Sequence, residues 1–328
     1  MTFERHRIEW RGRADEVCLL SFMPRFPHRL RMVPGADGWW VDLHLPEDAR
    51  IEYRIEVRRG ARTETTLDPS NPDVATNPFG ANSILKGSKY VSTHRCEGEW
   101  RIEEFRVPSA VFGGRRHHRL LSPMKSPTTP LPLVLLHDGA DYVDHARIPE
   151  VLASAMRDAV LPPLRVALLD PRQRNVEYAA DPRHARHVVD EVLPRVRARV
   201  AVAGPVVIGG ASLGAVAAWH TAQQSPGVFG GLVLQSGTFA FSPHSEIPSA
   251  MASSIRRFLD DAVTAPAISD LAVGQTCGRF ESLLDWNRTV AEHLGNTVRV
   301  HSYEERWAGH DWGAWADTFV GALATAIG

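Results

Sequence analysis

The sequence predicts a protein of two domains, an all-β sandwich over residues 1–95 and an open α/β sheet over residues 96–328. Three observations carry that prediction. The first 95 residues alternate short apolar segments with turn signals. From about residue 131 the period changes to continuous apolar runs separated by helical segments, as buried parallel strands joined by crossover helices require. The length, 328 residues, accommodates two domains and a sizeable core.

In the first domain Val17–Phe22, Trp39–Leu45 and Ile51–Val57 read as strands. In the last of these Ile51, Tyr53, Ile55 and Val57 share one face and Glu52, Arg54 and Glu56 the other. Gly35–Gly38 makes the turn before the tryptophans, and a Pro/Asn-rich stretch from Leu67 to Gly80 reads as irregular. Gly98–Pro123 supplies an antiparallel strand or hairpin at the edge of the second sheet. There the strands are Leu131–His137, Leu164–Asp170, Pro205–Gly209, Gly231–Gln235, Ala267–Val273 and Val298–Tyr303. Helices are expected over Ile148–Ala159, Arg183–Arg199, Ser212–Gln224, Glu281–Leu294 and Ala314–Ile327.

Composition excludes several classes. With 44% hydrophobic and 23% charged residues the chain is neither disordered nor of low complexity. Lys+Arg 37 against Asp+Glu 38 leaves a net charge of -1, so no global field favours nucleic acid or an anionic membrane. Cys18, Cys96 and Cys277 are widely spaced and odd in number, which fits free thiols rather than a disulfide framework or a metal site. The first residues lack the apolar stretch of a signal peptide and no run of about 18 apolar residues occurs, so a cytoplasmic location is expected.

The strongest chemical signal is Gly210-Ala211-Ser212-Leu213-Gly214, between the apolar Pro205–Gly209 and the helical Ala215–Trp219. Composition alone would produce this spacing about 0.1 times per chain. A serine on a strand-to-helix elbow needs small residues two before and two after it, because the turn presses its neighbours together. The Leu213 N–H then opens a helix, where developing negative charge is favoured. A serine needs a base, and His310 in Gly309-His310-Asp311-Trp312 stands after the last expected strand and before the final helix. His293 and His301 fall inside a helix and a strand. The acid that orients the imidazole should follow Ala267–Val273; Glu281 is favoured, with Asp285 one helical turn later as its competitor and Asp270 a poor third. A second oxyanion donor is expected after Leu131–His137, where Gly139 lets the backbone turn and the Ala140 N–H can serve.

These residues resemble the esterase D/antigen 85 family of α/β hydrolases, and within it the enterochelin esterase-like enzymes. The matching segments are Leu135–Gly139, Arg174–Tyr178, Glu191–Pro194, Gly210–Gly214, Gly278–Glu281 with Trp286–Arg288, and Gly309–Trp312. The first domain is similar to the immunoglobulin-like N-terminal domain of the same esterases through Asp37–Trp40, Ile51–Tyr53 and Leu67–Pro72. The resemblance implies an α/β-hydrolase fold and a serine esterase acting on ester or lactone bonds, in enterochelin esterases those of a ferric catecholate siderophore. It carries over Ser212 as nucleophile, His310 as base, Glu281 as acid, and Ala140 with Leu213 as oxyanion donors. Arg174 and Glu177 match a motif near the pocket of such enzymes and are candidate substrate contacts, with a structural ion pair fixing that loop as the alternative; Trp312, which flanks His310 with Trp307 and Trp315, either stacks on the substrate or, the favoured reading, packs in the core. No cofactor and no metal is implied; the partner is a small-molecule ester.

A ferric tris-catecholate is strongly anionic, and Arg115, Arg116, Arg119, Arg172 and Arg174 are the cationic side chains available to it. His117-His118 and the His184/His187 pair lack a third ligand for zinc. Two rival readings follow: an acetyl or feruloyl carbohydrate esterase on the same architecture, and a non-catalytic ligand- or carbohydrate-binding protein resting on the sandwich alone.

Overall fold

A computed structural model describes residues 2–125, 128–239 and 249–328. By its contacts the chain divides into two units. The first is Met1–Ser92 with two later segments, Gly278–Leu284 and Glu305–Asp317; the second is Thr93–Cys277 with Asp285–Glu304 and Thr318–Gly328.

The first unit is a β-sandwich. One sheet pairs Phe3–Trp10, Trp39–Pro46 and Val33–Pro34. The other runs Arg29–Arg31, Glu16–Ser21, Arg50–Arg59, Gly80–Lys86, Val74–Asn77, with Arg62–Thr66 also paired to Arg50–Arg59. Both sheets are antiparallel. Alternation places Ile51, Tyr53, Ile55 and Val57 in the core with Ile8, Val17, Leu19, Leu43 and Leu45, as the sequence predicts, and Phe280 joins them. The region read as irregular contains two strands, Val74–Asn77 and Gly80–Lys86. Polar residues at their turns hid them: Asn77 Oδ1 accepts the Phe79 N–H at 2.8 Å and tightens the hairpin.

The second unit carries an eight-stranded sheet, numbered here from Trp100: β1 Trp100–Pro108, β2 Arg115–Pro123, β3 Leu131–His137, β4 Arg165–Leu169, β5 Val202–Ala211, β6 Gly231–Gln235, β7 Ala272–Gly278 and β8 Val300–Arg306. The order is β1-β2-β4-β3-β5-β6-β7-β8. Strands β3 to β7 run parallel, and β1 and β2 form the antiparallel hairpin expected at the edge. This is the α/β-hydrolase order, with the strand reversal between β3, β4 and β5 that opens a site at their C-terminal ends.

Three expectations are corrected. The strand expected at Ala267–Val273 is β7, Ala272–Gly278; the preceding residues turn, Leu271 N–H donating to Ile268 O at 3.1 Å. Its second half, Gln275 and Thr276, is polar yet buried, with the Gln275 amide donating to Asn287 O at 2.7 Å, so an apolar-run criterion stops too early. The helix expected over Arg183–Arg199 breaks into Pro182–Arg186, a π-helical turn His187–Val192, and Leu193–Arg197. Pro194 lacks an N–H, and the ladder widens immediately ahead of it. The sequence assigned no element to Ser249–Thr264, which is a helix. Its buried Ala252, Ile255, Leu259 and Ala262 follow the helical period.

Five imidazoles, His118, His137, His184, His187 and His220, lie buried in the second unit. Burial holds all five below the ordinary histidine range, His118 at about 3 and His137 and His220 at about 4. An unfolded histidine takes its proton near 6.5, so below that pH the unfolded chain binds protons that the folded chain refuses. Stability from each imidazole is therefore complete above about 6.5 and lost as pH falls toward its folded value. His118 packs between Phe105 and His187, both ring centroids at 5.6 Å, a setting that accepts a phenyl ring. Relative to wild type, His118→Phe should gain about 1.4 kcal/mol per pH unit as pH falls from 6 to 4. Urea unfolding at several pH values reads this directly; a pH-independent difference contradicts it.

Candidate active site

Ser212 sits between β5 and the helix Leu213–Gln224 with φ 58° and ψ -122°. This is a rare conformation for a residue with a side chain, and it is held from outside. The Ser212 N–H donates to Gln235 O at 2.8 Å and its carbonyl accepts the Thr238 N–H at 3.2 Å. A Cβ on Gly210 would lie 2.7 Å from the Gly214 carbonyl carbon, so the small residues flanking the serine are a steric requirement. Ser212 Oγ lies 3.1 Å from Thr238 Oγ1 and remains partly exposed. Leu213 opens a helix of 12 residues, so its N–H belongs to the first turn and has no intrahelical acceptor.

The Ala140 N–H, expected as the second oxyanion donor, is paired within the protein. Asp138 adopts a left-handed conformation, φ 54°, and the short helix Gly139–Asp144 begins behind it. The Ala140 N–H donates to Asp170 Oδ1 at 2.7 Å. Asp170 follows β4, and its carboxylate fills the place that an oxyanion would have to take at this donor.

Arg174 grips Asp138 with two hydrogen bonds, Nε to Oδ1 at 2.8 Å and Nη2 to Oδ2 at 2.7 Å. Asp138 is buried, and burial pushes its carboxyl up against the opposing pull of Arg174. The bidentate pair fixes the left-handed turn after β3, while 36% of the Arg174 side chain stays exposed. Glu177 takes the structural alternative that the sequence leaves open. It is 3% exposed, and its Oε1 accepts Arg116 Nη1 at 2.8 Å and the backbone N–H groups of Gln173 at 2.9 Å and Arg172 at 3.2 Å. It closes the loop that presents Arg174.

In the first unit the structure brings Glu281 and His310 together. Glu281 Oε2 lies 2.6 Å from His310 Nδ1, and Oε1 accepts the Gly278 N–H at 2.8 Å. The Glu281 side chain is 1% exposed and that of His310 33%. A buried carboxylate at Nδ1 fixes the tautomer and leaves Nε2 as the nitrogen that exchanges protons. Asp285, the competing acid, lies on the following helix with 68% of its side chain exposed and Arg288 Nη1 3.8 Å from its Oδ1. Trp312 is buried edge-on against Trp315, ring centroids 4.7 Å apart, as the core-packing reading expects, and Trp315 in turn packs edge-on against His310 at 4.8 Å. Ser212 belongs to the second unit and His310 to the first. Among the described residues no group of three or more His, Cys, Asp or Glu is arranged to hold a metal ion.

Comparison with known proteins places the chain. Residues 109–326 match the model of the family described as Putative esterase. The chain belongs to that family. It is 24% identical over 236 residues to the iron(III) salmochelin esterase of Escherichia coli, a match covering 64% of this chain and 58% of that relative. Its fold is that of the ferric enterobactin esterase from Salmonella typhimurium, with TM-score 0.82, 18% identity, and 98% of this chain and 93% of the other covered. A ferulic acid esterase aligns with TM-score 0.59 and 17% identity over 70% of this chain and 98% of its own.

The Glu281–His310 hydrogen bond has a spectroscopic signature. In proton NMR the Nδ1 proton shared with a buried carboxylate should resonate far downfield of the amide envelope. Glu281→Gln should remove that signal and Asp285→Asn should leave it; the reverse outcome would transfer the acid's role to Asp285.

Proposed function

We propose that the protein is a serine esterase that opens ester or lactone bonds of a catecholate siderophore, with Ser212 as nucleophile, His310 as base and Glu281 as acid. The observation that carries the chemistry is the buried Glu281 carboxylate at 2.6 Å from Nδ1 of a partly exposed histidine, in a chain that also sets a serine on a strand-to-helix elbow. Family membership supports the reaction type. The substrate class is supported by the salmochelin and enterobactin esterases that the chain resembles. The free cysteines suit a reducing, cytoplasmic setting.

In this reading Ser212 Oγ attacks the ester carbonyl while His310 Nε2 takes its proton, and Glu281 stabilises the imidazolium that forms. The Leu213 N–H faces the negative charge that develops on the carbonyl oxygen. Collapse of the tetrahedral intermediate expels the alcohol, which receives the proton from His310, and leaves an acyl group on Ser212. Water, deprotonated by the same imidazole, then hydrolyses the acyl-enzyme and regenerates the serine.

Feruloyl hydrolysis is the second reading, since a ferulic acid esterase shares the catalytic fold. What favours the siderophore is coverage: the enterobactin esterase matches 98% of this chain, the sandwich included, whereas the ferulic acid esterase matches 70%.

Ser212→Ala should lower hydrolysis of an activated aryl ester by at least about 10³-fold with an unchanged circular dichroism spectrum. A fluorophosphonate should label wild type at Ser212 and spare the variant. Incubation with iron-loaded and iron-free catecholate trilactones, followed by mass analysis, should give ring-opened and monomeric products. Rapid turnover of feruloyl sugars with the trilactones left intact would overturn the substrate assignment and keep the chemistry.

A further inference from the structure

Arg50 opens the strand Arg50–Arg59 of the sandwich, and it is one of the most thoroughly buried charges in the chain, 3% exposed. Its partners define its task. The Arg50 backbone N–H donates to Trp307 O at 2.7 Å, and its Nη1 donates to Asp311 Oδ1. These contacts fall three residues before and one residue after His310, so a single residue holds both ends of the loop that carries the base. Asp311 Oδ1 also accepts the Ala314 N–H at 2.8 Å, as the N-cap of the final helix Trp312–Ile327. Its Oδ2 is buried and makes no hydrogen bond, so both contacts of the side chain run through one oxygen.

The guanidinium is itself fixed from behind. Nη2 donates to Glu52 Oε1 at 2.8 Å, Glu52 Oε2 accepts Asn82 Nδ2 at 2.9 Å, and Asn82 Oδ1 accepts Arg54 Nε at 3.0 Å. Gly313 makes the room: a Cβ there would stand 2.3 Å from Arg50 Nη2 and 2.5 Å from Cζ. Burial works against the charge on Arg50, but the Asp311 and Glu52 carboxylates hold it firmly cationic. Burial pushes the Asp311 carboxyl up, and the pull of Arg50 opposes this.

We propose that Arg50 is a positioning residue for the reaction: by tying Trp307 and Asp311 together it fixes where His310 presents Nε2. The sandwich is then part of the catalytic apparatus. This inference rests on the Ser212, His310 and Glu281 reading.

The test separates the two. Arg50→Met, Asp311→Leu and Asp311→Asn are compared with wild type on an activated aryl ester, with fluorophosphonate labelling of Ser212 in parallel. Misplacing a base by about 1 Å costs on the order of 100-fold. Arg50→Met and Asp311→Leu should therefore lose about 100-fold in kcat, with KM within about threefold and labelling slowed in proportion. Asp311→Asn keeps an oxygen for Arg50 Nη1 and the Ala314 N–H, and should restore most of kcat. If Arg50→Met does not fold, Gly313→Ala, which displaces the guanidinium and removes no charge, should show the same loss of kcat in a folded protein. Full kcat in a folded Arg50→Met or Gly313→Ala overturns the role of Arg50, as does Asp311→Asn failing as badly as Asp311→Leu. Wild type that neither hydrolyses the ester nor labels at Ser212 overturns the triad itself.

Discussion

The hydrogen bond between Glu281 and His310 depends on two loops being held still relative to each other. The residues are 29 apart in sequence, and a contact of 2.6 Å tolerates little drift in either loop. Both loops belong, by their contacts, to the unit built around the N-terminal sandwich. Phe280 lies in the sandwich core beside Ile51 and Leu19, and its carbonyl accepts the Arg25 N–H at 3.0 Å. Its own N–H donates to Ala308 O at 3.1 Å, and Arg279 N–H to Arg306 O at 2.7 Å. Glu281 is therefore placed by its apolar neighbour: once Phe280 is buried, the next residue has few directions available. Apolar burial, worth about 2 kcal/mol for such a ring, supplies a rigidity that the hydrogen bond alone could not.

Ser212 is held by a different set of contacts. Ser212 occupies a strained backbone conformation, and the surroundings impose it through the Gln235 carbonyl and the Thr238 N–H. The helix that follows is buried over Leu213–Ala222, with alanines at 215, 217, 218 and 222 that let it lie close to the sheet. Trp219 fills the space beyond them, edge-on to Phe239 at 5.5 Å and to Phe258 at 5.4 Å. Small residues near the serine and a large ring behind it give the elbow a fixed seat, the preorganisation that the proposed reaction would require of Ser212.

The elbow at Ser212 and the loop position of His310 were legible because their signals are local. Gly210 to Gly214 and the histidine after the last strand announce themselves within five residues. The carboxylate that meets His310 was legible only as a choice between Glu281 and Asp285, since both follow the same strand. What separates them is a turn: Glu281 precedes the helix Leu284–Thr297 rather than lying on it, and Phe280 turns it inward. The pairing of the Ala140 N–H with Asp170 was not legible because nothing near Ala140 in sequence identifies that acceptor. For Glu177 the sequence leaves a pocket contact and a structural ion pair open, because a buried carboxylate and a pocket carboxylate look alike without their partners. Arg50 was invisible for a further reason. Alternation along Ile51–Val57 assigns Glu52 to the outer face of a strand, yet that face is covered as well, and Glu52 is 7% exposed. Period-2 patterning reports burial of apolar faces and is silent on a buried polar one.

The same accounting changes what the arginines mean. A near-neutral chain with many arginines leaves room for an anionic ligand only where guanidinium groups are uncommitted. Of the cluster read as available, Arg116 is buried against Glu177, Arg119 faces Asp170 at 3.6 Å, and Arg174 holds Asp138 in a bidentate pair. Withdrawing Arg116 would strand a buried carboxylate, at a cost of about 3–5 kcal/mol, so no ligand can recruit it. Arg174 differs, because part of its side chain stays exposed while both of its hydrogen bonds point inward. If the substrate is the catecholate proposed above, a ring stacked on the exposed part of that side chain would leave the charge-assisted bonds intact. Recognition of an aromatic anion would then draw on the exposed face of an already fixed arginine, and the positive charge would serve both the turn after β3 and the ligand.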